Sequence, residues 1–107
     1  MTNNARGEVA VEINGEQFIF VSTLRAMAEI EADTGIDYRM LLSSMRSGIS
    51  MKHLLACAVR FAQAGGAVDT SAIETARDVG PIAKGVAECI NASMPSSGKA
   101  DGGEAKT

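Results

Sequence analysis

His53 and Cys57 stand one helical turn apart in the stretch KHLLAC. An imidazole so placed can take a thiol's proton and leave a thiolate nucleophile. The surrounding residues argue against that chemistry. Cys57 falls with Leu54, Ala58 and Phe61 on one apolar stripe, where a thiol is inert. His53 is the only histidine, so a His-rich metal site cannot form, and no cysteine lies at ligand spacing from Cys57 or Cys89. Both cysteines occupy apolar positions of helical patterns and read as buried, reduced thiols. A disulfide between them is the alternative that spacing leaves open.

Glu29, Glu31 and Asp33 crowd onto one helix. Paired carboxylates can serve acid–base chemistry or bind a hard cation. A solvated helix surface accounts for most of them. Glu31 is the exception, because it follows Ile30 and edges toward the apolar side, where it is expected to hold a backbone group or an arginine. Gly65-Gly66 lacks the preceding strand and following Lys-Ser/Thr of a phosphate loop and reads as a helix stop. The sequence therefore yields no catalytic, cofactor-binding or metal-ligating residue, and neither an enzyme nor a cofactor is expected.

Two features point instead to binding. Arg39, Arg46, Lys52 and Arg60 lie between Tyr38 and Phe61 with no acidic residue among them. Helix, Gly48-Ile49-Ser50, helix is the order of a helix-turn-helix, so DNA binding through residues 38–61 is the alternative reading. Against it, Leu55 and Ala56 on the second helix read few base edges. The other feature is apolar. Met40 falls off the stripe formed by Tyr38, Leu41, Leu42 and Met45, Met51 opens the next helix, and Leu55 follows one turn later. Met40, Met51 and Leu55 are the expected partner-binding residues, since methionine makes a soft, adaptable surface.

These residues need elements to hold them. Val9, Val11 and Ile13 alternate with polar or small residues, the period of a half-buried strand. Asn14-Gly15 is the preferred pair for a two-residue hairpin turn. That turn sets Val11 against Phe18 and Val9 against Phe20, gathering five apolar side chains on one face. Helices are expected at about 23–34, 38–47, 51–64, 71–79 and 81–93, delimited by capping residues and by Gly35, Gly48, Gly65-Gly66 and Gly80-Pro81. Ser71 and Glu74 have capping-box spacing for the fourth. The fold expected is α+β: one hairpin, 7–21, packed on four to five short helices in a single domain, 6–93. The first helix and parts of the second and third are expected to cover the hairpin. Residues 1–5 read as a polar leader and 94–107 as a disordered tail.

The 107 residues carry a net charge of −3. That balance disfavours wholesale binding to nucleic acid or anionic membrane. No apolar run approaches membrane-spanning length, and MTNNARGEV lacks the apolar core of a secretory signal. A cytoplasmic location is expected.

The first part of the chain resembles a known family. RGEV at 6–9, the hairpin glycine Gly15, and Leu24, Met27, Ile30, Glu31 and Gly35 within LRAMAEIEADTG carry the likeness. The family is the tail assembly chaperones of tailed phages, in particular the branch found in gene transfer agents and related prophages. The match is good over residues 6–35 and looser to Gly66. The resemblance implies a non-enzymatic protein that binds the tape measure protein in the bacterial host, with the tail tube protein and a second copy of itself as further partners. It also implies absence from the finished particle, and it assigns no site residues.

Overall fold

The structure is a computed structural model and describes residues 8–93. The polar leader expected at 1–5 and the disordered tail expected at 94–107 lie outside the described residues. Two strands, β1 (Glu8–Ile13) and β2 (Glu16–Val21), form an antiparallel hairpin. Five helices follow: α1 (Leu24–Thr34), α2 (Tyr38–Ser47), α3 (Met51–Ala64), α4 (Ser71–Glu74) and α5 (Val79–Ser93). The architecture is α+β.

Asn14 and Gly15 form the turn with φ of 55° and 77°, the left-handed pair that a type I′ turn requires. The register follows from it: Ile13 faces Glu16, Val11 faces Phe18 and Val9 faces Phe20. All of these but Glu16 are buried. Burying each large apolar side chain contributes about 1.5–3 kcal/mol, so the inner face is a major source of stability.

α3 shares in covering that face, as expected, but the rest of the cover is α5 where α1 and part of α2 were expected. α5 lies against β1 and α3 against β2, while α1 packs on α3 and α2. The reason is local. A Cβ at Gly85 of α5 would collide with Val11 Cγ2 and reach the Phe20 ring at 3.4 Å. The missing side chain lets α5 settle onto the hairpin, and Ile82, Val86, Cys89 and Ile90 fill the space around it. α1 offers too narrow a stripe for that task. Only Ala26 and Ile30 of α1 are buried, and Leu24 stands 81% exposed at the helix start.

Most helix ends carry the expected caps. Thr23 Oγ1 accepts from Ala26 N at 3.0 Å, Asp37 Oδ1 from Arg39 N at 2.8 Å, and Ser50 Oγ from His53 N at 3.2 Å. The fourth helix is a correction. It ends at Glu74 instead of 79, and its N-cap is Thr70, with Ser71 inside the helix. Ile73 is its one buried residue, with Ala72 partly buried beside it. Asp78 Oδ1 accepts from Gly80 N at 3.0 Å and starts α5 at Val79, ahead of the expected position 81. Pro81 then lies in the first turn, where its missing N–H is not needed.

Candidate functional site

Met51 and Leu55 lie one turn apart on α3, along the edge of the buried stripe of Leu54, Cys57, Ala58 and Phe61. They are 62% and 41% exposed. Val79, the first residue of α5, stands beside them at 44%. Leu54, Ile73 and Ile82 complete the lining of a groove of about 260 Å³, which also touches Glu74 and Arg77. Three helices meet here because α4 is a single turn and α5 starts early. The result is an apolar groove flanked by a flexible methionine and edged by one charge of each sign. Such a surface suits an apolar partner face.

Met40 is not part of it. It is 61% exposed on α2 and lines a separate, polar groove with Asp37, Arg39 and three serines. Of the three residues expected to bind a partner, the structure brings Met51 and Leu55 together and leaves Met40 apart. Val79 was missed in sequence, because the spacing put it at the end of the fourth helix, whereas it is the first residue of α5. The asparagine-like capping position of Asp78 was the available signal for an earlier helix start.

The remaining chemistry-bearing residues have structural occupations. Arg60 of α3 donates from Nε to Asp33 Oδ2 at 2.7 Å and from Nη2 to Asp33 Oδ1 at 3.1 Å. Its Nη1 lies 3.7 Å from Glu29 Oε1. The hydrogen bond from Arg60 holds the Asp33 carboxyl below its usual range, against a small opposing effect of burial. Glu31 Oε2 accepts from Tyr38 N at 2.8 Å, so α1 caps the first amide of α2. The acidic cluster therefore ties α1 to its neighbours.

Cys57 and Cys89 are fully buried thiols that are not joined in a disulfide. Burial pushes the Cys57 thiol up to about 12, reinforced by Cys89, and the Cys89 thiol up to about 11 against a hydrogen bond with Ser22. Neither is a thiolate near neutral pH, so His53 has no nucleophile to activate at this position. No group of three or more His, Cys, Asp or Glu among the described residues could hold a metal ion. No helix among them is long and apolar enough to cross a membrane.

No protein-family model matches the chain, and no curated protein or solved structure matches it.

Proposed function

We propose that this chain is a tail assembly chaperone of a tailed phage, prophage or gene transfer agent. It binds the tape measure protein in the host cytoplasm and is absent from the finished particle. The observation that carries the reading is the groove between α3, α4 and α5, flanked by exposed Met51, Leu55 and Val79. A long helical partner with apolar patches must be kept soluble until the tail tube closes around it. A small domain with an adaptable apolar groove and an acidic net charge meets that need: the groove covers the patch and the charge keeps the complex dispersed. The likeness of residues 6–35 to the family supports the same reading, and self-association and contact with the tail tube protein belong to it as further proposals.

DNA binding through 38–61 draws less support. Arg60 is engaged by Asp33 and Glu29, and Arg39 lies 3.9 Å from Asp37, so two of the four basic residues face carboxylates.

The test is co-expression with the tape measure protein that the reading expects in the same gene cluster. The expected result is a higher soluble yield of that protein and a complex that co-purifies. An unchanged yield with no complex overturns the proposal.

A further inference from the structure

The two edges of the hairpin are unequal. Ile13 and Glu16 flank the two-residue turn and form a hydrogen-bonded pair, and the pattern alternates from there. Val11–Phe18 and Val9–Phe20 are the next bonded pairs. Ala10 and Glu12 on β1, like Gln17 and Ile19 on β2, therefore turn their N–H and C=O groups outward. On β2 the outward Ile19 carbonyl abuts Gly65, where a Cβ would collide with it, and loop 65–69 runs along that edge. On the outer side of β1, away from β2, no further strand among the described residues pairs with Ala10 or Glu12.

A groove of about 520 Å³ follows the β1 edge. That volume lies within the roughly 300–1,000 Å³ of ligand clefts. Its opposite wall is α5, brought close by Gly85. Near the turn it is pinned by Asn14, whose Nδ2 donates to Ala72 O at 3.3 Å. Glu12, Asp78 and Glu88 line it, against the single cation Lys84.

We propose that the β1 edge accepts an extended basic segment of a partner protein as a third strand. Ala10 and Glu12 supply two donors and two acceptors at the two-residue spacing of a strand. Lysine or arginine at alternate positions of the incoming segment meets the groove carboxylates. A second copy is the wrong occupant, because pairing through the same edge sets Glu12, Asp78 and Glu88 against their own kind. The site uses β1 and the flank of α5, not the Met51–Leu55 surface, and does not depend on the chaperone reading.

The experiment titrates the full chain with a synthetic peptide of alternating lysine with valine or threonine, and with its glutamate-for-lysine twin. The lysine peptide binds at least about tenfold tighter, and added salt weakens it. Amide exchange at Ala10 and Glu12 slows at least about tenfold when it binds. Ala10→Pro, which removes one outward N–H, lowers the affinity about tenfold. Because proline could disturb the strand, Glu12→Lys with Glu88→Lys is the second variant, and it reverses the preference between the two peptides. Equal binding of both peptides overturns the proposal, as does binding without protection of the two amides. So does protection of those amides in the free chain, whether from a dimer seen in sedimentation or from the chain's own residues.

Discussion

Arg60 grips Asp33 through two parallel hydrogen bonds that join α3 to α1. Bidentate geometry makes this stronger than a single surface ion pair, yet both side chains keep about a third of their surface in water, 30% and 36%. Their coupling is therefore expected at about 0.5–1 kcal/mol, the upper part of the range for exposed pairs. A double-mutant cycle of Arg60→Ala and Asp33→Ala in urea unfolding measures it. The sign with pH follows from the lowered Asp33 pKa. The contribution is complete above the ordinary value of 3.8 and is lost as pH falls through the lower folded value. A coupling unchanged between pH 6 and pH 2 would refute the assignment.

Gly65 and Gly85 are needed for close approach. Gly65 has φ −85°, which any residue adopts, so its requirement is steric and not conformational. Alanine at Gly65 meets the rigid Ile19 carbonyl, and alanine at Gly85 meets a valine methyl that can yield. Gly65→Ala is expected to cost about 2–3 kcal/mol. Gly85→Ala should cost less, since the gain in helix propensity, about 1 kcal/mol, offsets part of the clash. Chemical denaturation gives both values, and a Gly65→Ala variant as stable as the parent would remove the account.

The hairpin was legible in the sequence because its signals are local. Alternation and Asn14-Gly15 set the register, and the buried face followed from parity. The α5 half of the cover was not legible. It depends on Gly85, an unremarkable glycine in a helical pattern until the strand it touches is known. The candidate site divided in the same way. Helical spacing placed Met51 and Leu55 on one face, but the groove exists only because α4 stops at Glu74 and α5 starts at Val79. Met40 looked equivalent in sequence, and only packing shows it lines a different surface.

Leu55→Asp tests whether that groove is the contact surface. Leu55 is 41% exposed, so the folded state should lose only about 1 kcal/mol or less. Retention of the co-expressed tape measure protein should nevertheless collapse, because a carboxylate would be desolvated in the interface. Met40→Asp serves as the paired control and should leave retention near the parent level. Thermal melts with quantitative pull-down read both effects. If Met40→Asp disrupts the complex and Leu55→Asp does not, the surface has been placed on the wrong side.

The two buried thiols make stability fall in alkali. An unfolded thiol ionises near 9.0, whereas the folded Cys57 and Cys89 hold their protons to about 12 and about 11. Between these limits the unfolded chain releases protons that the folded chain keeps, so rising pH favours unfolding. Stability is complete below 9 and declines as pH climbs through the window. One pH unit above 9, each thiol should account for a loss of roughly 1 kcal/mol. Urea unfolding of the parent and of Cys57→Ala at pH 8 and pH 10 isolates the effect, because every other titrating group is common to both. The variant is less stable at pH 8, having lost buried contacts, but its decline toward pH 10 should be shallower by about 1 kcal/mol. Parallel declines would show that Cys57 ionises as readily in the folded chain as in the unfolded one. A thiol reagent offers the kinetic counterpart. Modification of the native chain should be slow and should accelerate with urea in step with opening, since neither sulfur meets solvent in the folded state.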